Sequence, residues 1–194
     1  MLKTCFAPIV FGLFAIAASG AAAEDAAKVP LAVGDQAPDA SLPDLHGDEV
    51  GLKKLFAAGP VALVVLRGYP GYQCPLCNRQ AGELLARAED FSKAGAQVVM
   101  VYPGSAKQLD EHARQFIAGK KFPAHYRFLL DPDYRLVEAY GLRWNAPQET
   151  AYPSSFVVNR QGEITFAAVS RSHGGRTPAA ELIKAIERTR RTRR

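Results

Sequence analysis

The chain has 194 residues, of which 48% are hydrophobic, and this is enough to bury one sizeable core in a single domain. Its net charge is +5, and the five arginines of the segment RTRRTRR at residues 188–194 account for all of that excess. A nucleic-acid-binding surface would spread Lys and Arg over the fold among aromatic side chains, so we expect no nucleic-acid partner. We interpret residues 188–194 as a basic tail at the solvated end of a helix.

The first residues have the pattern of a secretory signal peptide. Lys3 supplies a short positive region, the apolar run CFAPIVFGLFAIAAS follows, and the small residues AAA at 21–23 fit a cleavage site. This pattern predicts removal of residues 1–23 and a periplasmic or secreted protein. The apolar run is shorter than the ~20 residues that a membrane-spanning helix needs, so we expect no stable membrane insertion after cleavage.

After a polar linker, predicted at residues 24–32, the folded domain is expected to span residues 33–187. Its first segment, VGDQAPDASLPDLHGDEVGLKKLF, contains short apolar pairs interrupted by Pro, Asp and Gly. This composition predicts an extended chain with a turn at His46–Gly47–Asp48 and a short helix near Leu52–Ala57. The run VALVVL at 61–66 is continuous and rich in β-branched residues, as expected of a buried central strand.

Two helices and a second strand are predicted in the middle of the chain. Apolar residues recur at helical spacing over residues 75–91 and predict the first helix. The run QVVMVY at 97–102 predicts the second buried strand. Residues 105–119 predict another helix, with Ser105 as its N-cap and Gly119 as its C-cap.

The last third of the chain predicts a strand that ends at Leu130, a helix over residues 132–140 and a β-hairpin across residues 154–169. A closing helix follows, with Thr177 as its N-cap and Pro178 in its first position. The element order β-α-β-α-β-α-β-β-α is typical of an α/β sandwich. The final hairpin predicts a mixed central sheet, flanked by helices, with antiparallel strands at one side.

Two cysteines lie between the first buried strand and the helix after it, in RGYPGYQCPLCNRQ at 67–80, whereas Cys5 leaves with the signal peptide. Pro75 fits the first helical position because its missing N–H is not needed there, and this makes Cys74 the N-cap. Free backbone N–H groups and the helix dipole then point at the Cys74 sulfur, and such a site can lower a cysteine pKa to ~3.5–7.5. Cys77, one turn further along, can attack a mixed disulfide or a sulfenic acid formed on Cys74.

Three other roles for the cysteine pair remain open. A structural disulfide across so short a loop removes little chain entropy. Structural zinc takes four ligands, and the pair together with His173 in SRSHGG supplies only three, so we expect no metal and no cofactor. Inert core cysteines are the third alternative. Redox chemistry is favoured because an exported Cys-x-x-Cys at a helix start has the reactive geometry.

Four segments together resemble the alkyl hydroperoxide reductase/thiol-specific antioxidant (AhpC/TSA) family. They are VGDQAPDASLPDLHGDEV, the CPLC between strand and helix, DPDYRLVEAYGL and YPSSFVVNRQGEI. The resemblance extends over roughly residues 31–187. It implies a thioredoxin-like α/β sandwich, with a central mixed β-sheet flanked by helices, and the redox chemistry of peroxiredoxin-like proteins.

The resemblance also implies roles for three residues of the site. Cys74 matches the family's peroxidatic cysteine, which attacks the peroxide O–O bond and becomes a sulfenic acid. Cys77 matches the resolving cysteine of the Cys-x-x-Cys variants, which closes an intramolecular disulfide. Pro153, before SSFVV, matches the cis-proline of thioredoxin folds, which lies beside the active-site disulfide and helps to dock a substrate chain.

The chain departs from the family pattern at two positions. Typical members carry Pro-x-x-x-Thr/Ser-x-x-Cys, whereas this chain has Arg67 and Gly71 in place of the proline and the threonine, so the hydroxyl that orients the peroxide is absent. Typical members also have an arginine where this chain has Pro153. Because the thiolate and the peroxide both need a nearby cation, we predict that Arg67 supplies it.

These observations predict an exported antioxidant thiol oxidoreductase that reduces peroxides and is itself reduced by an external thiol of the thioredoxin type. The alternative is a thioredoxin-like thiol–disulfide oxidoreductase of the cell envelope, which the retained Pro153 and the absent threonine favour. A copper chaperone of the same fold would use a Cys-x-x-x-Cys spacing, which this chain does not have.

Overall fold

A five-stranded β-sheet organises the computed structural model of the chain, which describes residues 28–191. The predicted signal peptide, the start of the predicted linker and the last three residues of the tail lie outside the described residues. The elements are β1 (Ser41–Pro43), β2 (Glu49–Gly51), α1 (Leu52–Ala58), β3 (Val61–Val65), α2 (Pro75–Ala86), α3 (Ala88–Lys93), β4 (Gln97–Gly104), α4 (Leu109–Ile117), β5 (Tyr126–Pro132), α5 (Arg135–Ala139), β6 (Ser154–Val158), β7 (Ile164–Val169) and α6 (Ala179–Arg191).

The sheet is mixed and has the strand order β5-β4-β3-β6-β7. Strands β3, β4 and β5 run parallel, whereas β6 pairs antiparallel with both β3 and β7. The strands β1 and β2 form a separate antiparallel pair. The predicted α/β sandwich, with its antiparallel strands at one side of the sheet, is therefore confirmed.

The central strand β3 divides the core into two halves, because successive residues of a strand point to opposite faces of the sheet. Ala62, Val64 and Leu66 pack on one face with residues of α2, α3, α4 and α6. This half of the core contains both cysteines. The alternate residues of β3 pack on the other face with residues of α1 and α5. The cysteines thus lie on the face that four helices cover.

The helix predicted over residues 75–91 is interrupted at Arg87, so it forms the two helices α2 and α3. Arg87 has φ −104° and ψ 19°, outside the helical region, and its N–H bonds to the carbonyl of Leu84, three residues back. Phe91 is still buried in the same half of the core as Leu84. The apolar stripe is continuous although the helix is not.

The helix α4 is shorter than predicted at its N-terminus. Gln108, and not Ser105, occupies the N-cap position, and its side chain makes no capping hydrogen bond. At the other end Ala118 is the C-cap, and Gly119, the predicted C-cap, follows it with φ +74°. Gly119 therefore predicted the end of this helix more accurately than Ser105 predicted its beginning.

The helix predicted over residues 132–140 begins only at Arg135, because the strand before it continues through Pro132. Asp131 is buried at the end of that strand, and its carboxylate accepts the backbone N–H groups of Leu136 and Val137 at 2.8 and 2.9 Å. These two hydrogen bonds satisfy donors that a helix start leaves unpaired, so Asp131 determines where α5 begins.

The closing helix α6 continues through Arg191, so residues 188–191 of the predicted tail form its last turn. Like the other helices within residues 28–191, it is not long and apolar enough to cross a membrane.

Gly68 brings the loop after β3 against the end of β4. Its φ is +74°, and a Cβ atom added to it would lie 2.0 Å from the carbonyl oxygen of Pro103. Only a residue without a side chain fits this approach. The contact fixes the path of the loop that leads to Cys74.

We predict that Gly68→Ala destabilises the protein more than the matched change Gly119→Ala. Both glycines have φ +74°, but nothing lies within 4 Å of a Cβ at Gly119. Left-handed backbone at an alanine costs roughly 1–2 kcal/mol in either variant. The collision with Pro103 adds about 1–3 kcal/mol at Gly68 alone. Urea unfolding of the reduced proteins measures the difference, and equal losses in the two variants would contradict the close approach.

Candidate active site

Cys74 caps the N-terminus of α2, as the sequence predicts. Its backbone is extended, with φ −65° and ψ 115°, and Pro75 follows as the first helical residue. The Cys74 sulfur accepts a hydrogen bond from the backbone N–H of Cys77 at 3.4 Å. The side chain is only 3% exposed. The sulfur therefore lies where the unpaired N–H groups and the positive end of the helix dipole converge.

Cys77 lies one turn into the same helix and is fully buried. Its sulfur accepts the backbone N–H of Arg67, two residues after the end of the central strand, at 3.4 Å. No disulfide joins Cys74 and Cys77. The strand end and the first helical turn thus hold the two sulfurs side by side in their reduced form.

A guanidinium group that the sequence analysis did not identify contacts both sulfurs. The Nη2 atom of Arg176, in the loop between β7 and α6, lies 3.4 Å from the sulfur of Cys74 and 3.4 Å from that of Cys77. The side chain of Glu83 in α2 accepts the backbone N–H of Ala179 at 2.8 Å, which joins the start of α6 to α2. The contact between Arg176 and the cysteines follows from the packing of α2 and α6 on the same face of the sheet, and only that packing could have indicated it.

The site separates the pKa values of the two thiols. The hydrogen bond from the Cys77 thiol, with help from backbone N–H groups and the charge of Arg176, lowers the pKa of Cys74 from 9.0 to about 5 although burial opposes it. The same hydrogen bond, together with burial, raises the pKa of Cys77 well above 9.0. At neutral pH the site therefore holds one thiolate, on Cys74, and one thiol, on Cys77.

Arg67 does not supply the cation at the thiolate, so that prediction is wrong. Its guanidinium donates to a carboxylate oxygen of Glu149 at 2.7 Å, to the hydroxyl of Tyr72 at 2.6 Å and to the carbonyl of Gln148 at 2.9 Å. Leu66 packs with the cysteines, and the next residue of an extended chain points the opposite way. Only the backbone of Arg67 reaches the site, through its N–H to Cys77.

Glu149 links Arg67 to His173, which lies in the same loop as Arg176. The carboxylate pairs with the guanidinium of Arg67 and with Nε2 of His173, each at 2.7 Å. Burial opposes ionisation, but these two hydrogen bonds hold the pKa of Glu149 below its ordinary value. His173, considered above as a third metal ligand, thus has a carboxylate partner. Within residues 28–191 no three His, Cys, Asp or Glu side chains form a group that could hold a metal ion.

Pro153 immediately precedes β6, beside the end of the central strand, where Ser154 pairs with Val65. The Tyr152–Pro153 peptide bond is trans, so the predicted cis state is wrong. The carbonyl of Pro153 accepts the backbone N–H of Ser170 at 2.9 Å, and the chain enters the sheet extended. A trans X–Pro bond is favoured by about 0.5–1 kcal/mol, and this segment gives no reason to reverse that preference. The docking role of Pro153 stays a prediction.

A thiolate–thiol pair at the start of the helix that follows the central strand of a mixed sheet defines a thiol oxidoreductase of the thioredoxin fold. The profile of the AhpC/TSA family matches residues 33–167, and the chain belongs to this family. Its sequence resemblance to that family is therefore confirmed.

Relatives within this family include named peroxiredoxins. The chain is 28% identical over 141 residues to Peroxiredoxin Bcp of Escherichia coli, a match that covers 70% of this chain and 83% of that protein. It is 23% identical over 131 residues to the thiol-disulfide oxidoreductase ResA of Halalkalibacterium halodurans, covering 68% of this chain and 65% of the other. The crystal structure of peroxidoxin BcpB from Mycobacterium tuberculosis superposes with a TM-score of 0.61 at 22% identity, over 84% of this chain and 97% of that one, and shows the shared fold.

We predict that the Cys74 thiol titrates with a midpoint near pH 5, which the pH dependence of its alkylation rate by iodoacetamide measures. Cys77→Ala removes the largest stabilising hydrogen bond and should move the midpoint upward. Because a thiol is nucleophilic only above its pKa, the alkylation rate should be constant from about pH 6 to neutral pH in the wild type. A wild-type midpoint close to that of a free cysteine would contradict the arrangement of hydrogen bonds at Cys74.

Proposed function

We propose that the protein reduces peroxides through the Cys74 thiolate, and that Cys77 then resolves the oxidised sulfur. The observation that carries this proposal is the position of the Cys74 sulfur at the start of α2, where it accepts the backbone N–H of Cys77 and lies 3.4 Å from the guanidinium of Arg176. These contacts favour the thiolate on Cys74, in agreement with the lowered pKa of Cys74 and the raised pKa of Cys77. The thiolate is the nucleophile, and the neighbouring thiol is already in contact with the sulfur that it must attack. Membership of the AhpC/TSA family supports the same chemistry.

In the first step the Cys74 thiolate attacks a peroxide oxygen. The S–O bond forms as the O–O bond breaks, and the leaving oxygen takes a proton from solvent and departs as water or an alcohol. The sulfur loses two electrons and becomes a sulfenic acid. In the second step the Cys77 sulfur attacks the Cys74 sulfur, and the hydroxyl leaves with a proton as water. Two electrons from an external dithiol, which we expect to be of the thioredoxin type, then reduce the disulfide.

The second candidate is thiol–disulfide exchange, in which the Cys74 thiolate attacks a disulfide of another protein. One observation favours it specifically, because Gly71 leaves the site without the hydroxyl that peroxiredoxins use to orient the peroxide. The likeness to the thiol-disulfide oxidoreductase ResA supports this candidate more weakly. Both candidates begin at the same sulfur and end in the same disulfide.

We predict that hydrogen peroxide oxidises the reduced mature protein faster than it oxidises a free thiol, by on the order of 10²-fold or more, because the site stabilises both the thiolate and the developing charge. Stopped-flow measurement of thiol loss gives the rate. Cys74→Ser should abolish the reaction, and Cys77→Ser should accumulate a sulfenic acid that a dimedone adduct reveals by mass spectrometry.

The two candidates differ in the species that Cys77→Ser traps. A sulfenic acid formed at the accelerated rate supports the peroxidase. A rate with peroxide no higher than that of a free thiol, together with a stable mixed disulfide formed with a disulfide-containing peptide, would replace the peroxidase by the exchange reaction.

We further propose that the protein works outside the cytoplasm. The support is the amino-acid pattern of residues 1–23 alone. Expression of the full chain in a bacterium should give a periplasmic protein whose first residue is Glu24, and intact-mass measurement checks this. The matched control is Leu13→Arg, which places a charge in the apolar run and should leave the full-length chain in the cytoplasm. A wild-type chain that keeps Met1 and remains cytoplasmic would contradict export.

A further inference from the structure

Arg176 is held at the two sulfurs without a carboxylate partner. Within residues 28–191 its polar contacts are the two cysteine sulfurs, reached through Nη2, and no ion pair with Asp or Glu involves it. Its Nε and Nη1 atoms are buried and have no hydrogen-bond acceptor among the described residues. Arg67, the buried arginine near the site, differs in this respect because Glu149 neutralises it.

A guanidinium group stays charged at every pH that a protein tolerates, and Arg176 is half-buried with its Nε and Nη1 atoms out of contact with solvent, so a nearby negative charge stabilises it. In the reduced protein the Cys74 thiolate supplies that charge. When Cys74 and Cys77 form a disulfide, the thiolate is lost, and no carboxylate of residues 28–191 replaces it. The half-buried cation then keeps its unpartnered Nε and Nη1 atoms and loses its counter-charge as well. Loss of the partner of a charge that is partly removed from solvent is unfavourable.

We infer that Arg176 sets the reduction potential of the Cys74–Cys77 couple, because its contact with both sulfurs stabilises the reduced pair and is lost as an ionic contact in the disulfide. Arg176 thus makes the disulfide a stronger oxidant than the same Cys-x-x-Cys would be without it. This role is independent of whether a peroxide or another disulfide is the physiological oxidant.

Exchange with glutathione defines the reduction potential of the Cys74–Cys77 couple. The Cys74 thiolate and the Cys77 thiol give two electrons to oxidised glutathione, the glutathione S–S bond breaks, and the protein disulfide forms. Two reduced glutathione molecules leave, protonated by the Cys77 proton and by one proton from solvent. Arg176 stabilises the left side of this equilibrium, because only that side contains the thiolate.

The size of the shift in reduction potential follows from the shift in the Cys74 pKa. While the pKa of Cys74 stays below the pH of measurement, each unit by which it rises makes disulfide formation about tenfold more favourable, and for a two-electron couple this lowers the potential by about 30 mV. A rise in the Cys74 pKa is thus expected to lower the reduction potential, by the amount per pKa unit given above.

The test measures the equilibrium constant with glutathione at pH 7 for three variants. Arg176→Met, which keeps the apolar length of the side chain and removes its charge, should make disulfide formation at least about tenfold more favourable. Arg176→Lys, which keeps the charge, should shift it less. The matched control is Arg171→Met, which removes a charge from the same loop where the guanidinium lies 4.7 Å from the ring centre of Tyr152 and contacts no sulfur. It should leave the constant unchanged.

Far-ultraviolet circular dichroism and urea unfolding establish that each variant is folded before its potential is compared. An unchanged constant in folded Arg176→Met, or an equal change in Arg171→Met, overturns the inference. A change in Arg176→Met with no accompanying rise in the Cys74 pKa also overturns it, because the thiolate would then not be the group that Arg176 stabilises. No peroxide enters this measurement, so failure of the peroxidase proposal and failure of this inference are separate results.

Discussion

The contact of one guanidinium group with two sulfurs is the interaction on which the arrangement of the site depends. Arg176 can reach Cys74 and Cys77 only because α6 and α2 cover the same face of the sheet, with the side chain of Glu83 hydrogen-bonded to the start of α6. The central strand β3 provides the other support, since Arg67, two residues after its end, donates its backbone N–H to the sulfur of Cys77. The segment after β3, the start of α2 and the loop before α6 therefore meet at the sulfurs of Cys74 and Cys77.

The part of the site that the sequence predicts is the part that local rules control. Pro75 belongs in the first turn of a helix, and this alone identifies Cys74 as the N-cap. The prediction that Arg67 supplies the cation at the thiolate was wrong although Arg67 is close to Cys74 in sequence. Alternation along the strand end points its side chain away from the cysteines, toward Glu149. Arg176 lies 102 residues from Cys74, and no local pattern marks it. Only the packing of two helices on one face brings it to the sulfurs.

The fold shows the same division between local and tertiary control. The strands and their mixed order follow from apolar runs and from the alternation of elements, and these are properties of the sequence pattern. The helix boundaries follow from particular hydrogen bonds. Asp131 reaches the N–H groups of Leu136 and Val137 and so delays the start of α5, and Arg87 leaves the helical conformation within a continuous apolar stripe. Neither event has a signature in residue type alone.

The position of Arg176 near the end of the chain has a consequence for the order in which the protein acquires its reactivity. Synthesis proceeds from the N-terminus, so Cys74 and Cys77 emerge long before the residues of α6. A contact across 102 residues forms late, because a long loop must close before it contributes any stabilisation. Until α6 docks, the nascent chain lacks the cation at its sulfurs. The full reactivity of the thiolate is therefore a property of the completed fold, and the unfinished chain is less exposed to premature oxidation.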